Sequence, residues 1–367
     1  MQAFLQTLIY GVETGAIYAL IALGYTMVYG VLRLINFAHG DVYMIGAFVG
    51  FYACTQWLPF KDLSQHPEAA AMNIALALIT LFLSMLLCAL LGITIERFAY
   101  RPLRNGFRNA DAHFWGFVIA LPVTAFVGAM STTKRQGALL FAGVVIGFIM
   151  RPVMAHLTKR IKPSSSRLNA LITAIGVSLI LENGGINVFG ADPKFIPDIL
   201  PKRQFSLLGV EFNSSRLIIL IIAAILMAVL RYIVLYTRPG KAMRAISHDI
   251  DAAKLMGINT DRVISFTFAL GASLAGAAGF MVAAFTNIKV VPLFGLQPGL
   301  KAFVAAVLGG AGNIPGAALG GLIMGVVESL VASRYPQWRD AVAFILLIVI
   351  LLVRPAGLLG KNTAEKV

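Results

Sequence analysis

The run "ISFTFALGASLAGAAGFMVAAF", Ile264–Phe285, carries no charged residue and is long enough to cross a hydrocarbon core of roughly 30 Å as one helix. Gly271, Ala275 and Gly279 recur every four positions, so they share one helical face. In lipid, small residues at that spacing let helix backbones approach closely, because van der Waals packing must replace the hydrophobic effect. The stretch predicts a membrane helix over 262–286 packed against other helices. Gly312, Gly316 and Gly320, with Gly321 and Gly325, predict the same for the C-terminal part.

Outward from this run the pattern repeats along the chain. With 59% hydrophobic and 13% charged residues over 367 positions, the composition excludes a soluble globular domain. The fold class expected is all-α, a polytopic transmembrane helix bundle in a single domain over 1–360. About ten spans are placed at 5–32, 41–58, 70–95, 114–131, 137–155, 168–189, 216–236, 262–286, 315–333 and 340–353. Residues 299–311, "GLKAFVAAVLGGA", are too short to cross comfortably and read as a half-helix or a re-entrant segment. That leaves the side of the C-terminus open.

The net charge of +14 is spread over short loops between apolar runs, the positive-inside pattern rather than a nucleic-acid-binding face. Glu96–Arg108, His156–Arg167 and Arg231–Arg262 are basic and read as cytoplasmic, which puts the N-terminus outside. No Lys or Arg precedes Arg33, so the first span reads as a retained helix rather than a signal peptide. Cys54 and Cys88 lie inside apolar runs, where they behave as small hydrophobes; no disulfide, metal site or cofactor is expected. "LGGAGNIPGAALGG" and "GLLGKN" both fail the GxxxxGK[ST] pattern, so the chain is not expected to hydrolyse ATP.

Acidic residues inside apolar runs are Glu13, Glu182 and Glu328, each requiring a partner or a watery cavity. "RLINFAHGDVYMIGAF", Arg33–Phe48, also sets polar groups between apolar runs. Gly40 is read as ending one helix and Asp41 as capping the next. Such a break is tolerated in a bilayer only where protein or water satisfies it, and transporters expose polar groups to substrate at breaks of this kind. Asn36, His39, Tyr43 and Glu182 are the candidate substrate-pathway residues, and a structural turn is the competing reading.

In the segment 239–261, Pro239 and Gly240 are read as ending the preceding helix. "SHDIDAAKLMG" follows as a short helix, capped by Ser247 or Asp249 and closed by Gly257. Ile250, Ala253 and Met256 are expected to share a face that docks a soluble partner.

Three blocks, "INFAHGDVYMIGA", "AAKLMGINTDRVISFTFALGASLAGAAG" and "KAFVAAVLGGAGNIPGAALGGLIMG", resemble the permease subunits of branched-chain amino-acid ABC importers of the leucine/isoleucine/valine type. The resemblance covers about 1–104 and 165–360. It implies a multi-pass subunit of the bacterial inner membrane that pairs with a second permease, cytoplasmic ATPase subunits and a periplasmic substrate-binding protein. It also implies ATPase coupling through Asp249, Asp251, Ala252, Ala253, Met256 and Gly257. The chain departs from the pattern at 105–164, an inserted segment read as an extra transmembrane hairpin. A urea or short-chain amide importer of the same family, an ion-gradient-driven secondary transporter and a membrane-embedded enzyme are the competing readings.

Overall fold

Long apolar runs and the need to satisfy every backbone group without water make helices of most of the described residues. The computed structural model describes residues 2–61, 63, 66–105, 167–200, 204–207, 210–286 and 288–360. Two compact units divide the chain, one of 1–93 with 174–367 and one of 94–173.

The helices are α1 (Gln2–Leu32), α2 (His39–Tyr52), α3 (Ala70–Ile95), α4 (Arg101–Asn105), α5 (Arg167–Phe189), α6 (Ser214–Tyr236), α7 (Arg238–His248), α8 (Ile250–Leu255), α9 (Thr260–Phe285), α10 (Leu296–Gly309), α11 (Ile314–Arg334) and α12 (Ala341–Val353). π-Helical turns follow α2 at Ala53–Trp57 and α3 at Glu96–Tyr100. An all-α, polytopic membrane architecture fits these elements. Among the described residues six helices are long and apolar enough to cross a membrane: Gln2–Leu32, Ala70–Arg104, Asn169–Phe189, Ser214–Tyr236, Thr260–Phe285 and Ile314–Arg334. The expected spans 114–131 and 137–155, and with them most of the 105–164 segment, lie outside the described residues.

Several expectations are corrected. The helix expected at 41–58 begins at His39, because the Ala38 carbonyl accepts from the N–H groups of both Asp41 and Val42. Gly40 therefore lies within the first turn and does not end a helix. With 14 residues, α2 reaches about 21 Å at about 1.5 Å per residue, and the π turn Ala53–Trp57 continues it, so the helical run 39–57 nearly matches the expected one. The helices α10 and α12, of 14 and 13 residues, are short. "ERFAYRPLR" is helical rather than a loop, and within it Glu96 pairs with Arg104 at 3.3 Å. An antiparallel hairpin, β1 (Gln204–Leu207) with β2 (Val210–Asn213), adds a small strand element to the connection before α6.

In the larger unit α1 and α9 are the enclosed helices, with 78% and 83% of their most apolar windows buried. By contrast, α5 and α6 turn Ile175 and Leu179, and Ile221, Ile225 and Val229, outward. Glycine sets the spacing of the enclosed pair: a methyl on Gly24 of α1 would come within 2.9 Å of the Gly271 carbonyl of α9. Gly279 lies against the backbone of Tyr43 and Ala47 on α2, and Gly316 and Gly320 lie against Gly309 and Ala305 on α10. Gly312 departs from the expected helical stripe. It precedes α11 and adopts φ 90°, a left-handed turn conformation that suits glycine.

The C-terminal segment returns to the turn between α10 and α11. Leu358 and Leu359 donate their N–H groups to the carbonyls of Leu308 and Gly309, and the Asn313 amide donates to the Leu359 carbonyl at 2.7 Å. A methyl on Gly30 would come 3.4 Å from Gly312, so the tail and the end of α1 share one end of this unit.

Candidate translocation path and coupling loop

The break after α1 is closed by backbone groups of the protein itself. Arg33 takes φ 53° just past the helix end and donates its N–H to the Tyr29 carbonyl at 2.7 Å. The Asn36 carbonyl accepts from His39 N–H at 3.1 Å as α2 starts. Asn36, His39, Asp41 and Tyr43 are all at least 96% buried. The His39 ring meets Tyr25 edge-on, with centroids 4.7 Å apart, and the Tyr43 ring stacks on Phe294 at 5.2 Å.

Two short helices meet here by their N-terminal ends. The first turn of α2 packs at Gly40 against Gly295 and Gly299 at the start of α10; a methyl on Gly40 would come 3.1 Å from Gly299 Cα. Each helix N-terminus carries partial positive charge, so bringing two together favours a nearby anion. Asp41 lies within the first turn of α2, and its Oδ2 accepts from Ser178 Oγ of α5 at 2.5 Å. Glu182 follows Ser178 by one helical turn and is half-buried.

Asn36, His39 and Tyr43 are thus brought into one buried break, and Glu182 shares a helical face with the serine that reaches it. Ser178, Gly295 and Gly299 carried no sequence signal that singled them out. Lys301 did: a lone cation inside "GLKAFVAAVLGGA" is as conspicuous as the three acids, and it pairs with Glu328 at 2.9 Å.

In the segment 239–261 Pro239 does not end a helix but starts one. Thr237 caps α7, its Oγ1 accepting from Gly240 N–H at 3.3 Å, and Pro239 occupies the first turn, where a missing N–H is harmless. Asp249 then caps α8; its Oδ1 accepts from Asp251 and Ala252 N–H, both at 2.9 Å. Those two donors hold the Asp249 carboxyl below the usual carboxylate range. Gly257, at φ 82°, closes the helix, and Asn259 caps α9 through Arg262 N–H at 3.1 Å.

The expected shared face of Ile250, Ala253 and Met256 is not formed. Ala253 is 4% exposed and packs within the protein, whereas Met256 lies past the helix end and is 82% exposed. Leu255 is 89% exposed, and Asp251 and Ala252 are also on the outside. A helix of six residues is too short for an i, i+3, i+6 spacing to stay on one stripe. The outward surface is Ala252, Leu255 and Met256, ringed by an Asp251–Lys254 pair at 3.2 Å.

The profile of the family described as branched-chain amino acid transport system / permease component matches residues 7–351. The chain belongs to this family. It is 36% identical over 370 residues to the high-affinity branched-chain amino acid transport system permease protein LivH of Salmonella typhimurium, covering 99% of this chain and 98% of that relative. It is 35% identical over 369 residues to the corresponding BraD protein of Pseudomonas aeruginosa, with the same coverage. A more distant similarity, 27% over 228 residues and 59% of this chain, is to the autoinducer 2 import system permease protein LsrC of Escherichia coli. As a member of the permease family the chain is a multi-pass membrane transport subunit.

Proposed function

We propose that the chain is a translocating subunit of an ATP-binding-cassette importer for leucine, isoleucine, valine or similar amino acids in the bacterial inner membrane. The observation that carries this reading is the near full-length likeness to two permeases named for branched-chain amino acids, 36% and 35% identical. Ten spans are proposed: the six long helices, the shorter α2 with its π turn, α12, and two in the 105–164 segment. Substrate passes the break where α2 and α10 meet, with Asn36, His39, Tyr43 and Glu182 on or beside its path.

The chain itself has no phosphate-binding loop, so ATP hydrolysis belongs to cytoplasmic ATPase subunits. Their movement enters through α8, with Ala252, Leu255 and Met256 as the contact and Asp249, Asp251, Ala253 and Gly257 holding its shape. A second permease and a periplasmic binding protein complete the assembly.

Reconstitution of the purified complex in liposomes, with loaded binding protein outside and ATP inside, tests the reading. Leucine uptake that requires ATP is expected. Uptake that persists without ATP but collapses with an ion gradient would falsify the importer assignment, and a preference for urea over leucine would overturn the substrate alone.

A further inference from the structure

Four charged side chains meet where α10, α11 and the α11–α12 connection come together. Lys301, in the second turn of α10, places Nζ 2.9 Å from Glu328 Oε1 of α11 and 2.7 Å from Asp340 Oδ1. Arg339 Nε donates to the same Glu328 oxygen at 2.7 Å. The Lys301 and Glu328 side chains are 7% and 2% exposed, while those of Arg339 and Asp340 are 58% and 64% exposed. Tyr18 of α1 lies beside Glu328.

A buried ion pair is a weak source of stability, since lost hydration offsets the attraction. The arrangement here is also not the one that would fasten α10 to α11 most firmly. Glu328 Oε1 takes two cations, and the Tyr18 hydroxyl of α1 faces the same carboxylate. Asp340 sits at the N-cap position of α12 but makes no capping hydrogen bond, its carboxylate being turned to Lys301. Asp340 therefore has two sets of donors within its reach, Lys301 Nζ and the N–H groups of the first turn of α12. Glu328 holds Lys301 as well, so the lysine keeps a carboxylate when Asp340 turns away. Partners can be exchanged without leaving a bare charge in the bundle.

The position of Lys301 gives this exchange a consequence. Its helix begins with Gly295 and Gly299, which pack on Gly40 at the break. The other side of the cluster is the connection Tyr335–Asp340, where Tyr335 and Trp338 stand exposed.

We propose that Glu328, acting through Lys301, is a positioning residue for transport: the Lys301–Glu328–Arg339–Asp340 cluster latches half-helix α10 in one of two positions, and Asp340 moves from Lys301 to the α12 N-terminus when α10 shifts. The proposal rests on the permease reading above. It makes the junction of α2 and α10 movable, and it makes the α11–α12 connection the place from which the movement is read.

The test uses the full complex in nanodiscs, with spin labels at Leu296→Cys and Trp338→Cys, both exposed positions, and serines replacing Cys54 and Cys88. Asp340→Asn, at an exposed site, and Glu328→Gln should lengthen or broaden the label distance without nucleotide. Both should raise ATP hydrolysis in the absence of binding protein about five-fold, at the low end of ordinary allosteric coupling. Asp340→Glu, which keeps the carboxylate, should restore the wild-type distance and rate. Variants that retain the wild-type distance and basal hydrolysis overturn the latch, even if their yield or melting temperature falls. A wild-type complex without ATP-dependent uptake counts against the permease reading alone, and the label distance still decides the latch.

Discussion

Leu255→Ala separates the coupling contact from the folding of the loop that carries it. Leu255 is 89% exposed in the isolated subunit, so nearly all of its side chain is available to a partner. Truncation removes three aliphatic carbons; at about 0.8 kcal/mol each, an ATPase groove that covers them loses about 2 kcal/mol. That corresponds to roughly thirty-fold weaker association, since a tenfold change is about 1.4 kcal/mol. The same truncation at an exposed site should change the stability of the permease by less than about 0.5 kcal/mol. Ala253→Glu behaves differently, because Ala253 is 4% exposed and a carboxylate there enters the packing of the loop itself. The assay is a titration of purified ATPase onto nanodisc-embedded permease, paired with thermal unfolding of the permease alone. Leu255→Ala should weaken binding at unchanged melting temperature, and Ala253→Glu should lower the melting temperature. If Leu255→Ala binds as tightly as the wild type, α8 is not the contact; the basic segment Glu96–Arg108 is the next surface to test.

Gly279→Val should prevent assembly, since the added carbons meet the Tyr43 backbone and α2 must move away from α9; overpacking of this kind costs about 1–3 kcal/mol, and recovery of well-folded protein in detergent reads it out. Ser178→Ala takes the donor from the buried Asp41 side chain and should destabilise the break by about 1–3 kcal/mol, measured by thermal unfolding, with Ser178→Thr milder. Glu182→Gln should retain uptake with normal complex yield, because the amide keeps the shape at a half-buried site; a large loss would assign its charge to the path. The Asp249 carboxyl is held low by two N–H groups, so its folded value lies below its unfolded one. Its capping contribution is complete above the ordinary carboxylate value of about 4 and fades only as pH falls through the lowered value, so ATPase binding should be flat from about pH 8 to 5.

Helix existence could be read from apolar run length, because each described run that could bury its backbone only by coiling did so. Extents were harder. The run 41–58 is mostly apolar, yet its α-helix starts at His39, where hydrogen bonds to the Ala38 carbonyl set the end, and yields to a π turn at Ala53. Pro239 was ambiguous on chemical grounds: a residue without an N–H ends one helix and starts another equally well, and Thr237 settled the matter. Lys301 and Glu328 could each be recognised as a charge needing a partner, but 27 positions separate them and only the fold names the pair. Ser178 looked like any serine in a membrane helix, and its meaning came entirely from the arrival of Asp41.

The three hydrogen bonds that hold Leu358 and Leu359 on Leu308, Gly309 and Asn313 bear on how this protein can be handled. The end of α10 has its last carbonyls satisfied by a segment that follows the final helix, so the tail acts as a fastening for the turn between α10 and α11. A reporter fused after Arg354 would strip that fastening and loosen the half-helix it closes, and activity lost in such a fusion would be misread as a requirement for the tail in transport. A reporter joined beyond Gly360 leaves the fastening in place.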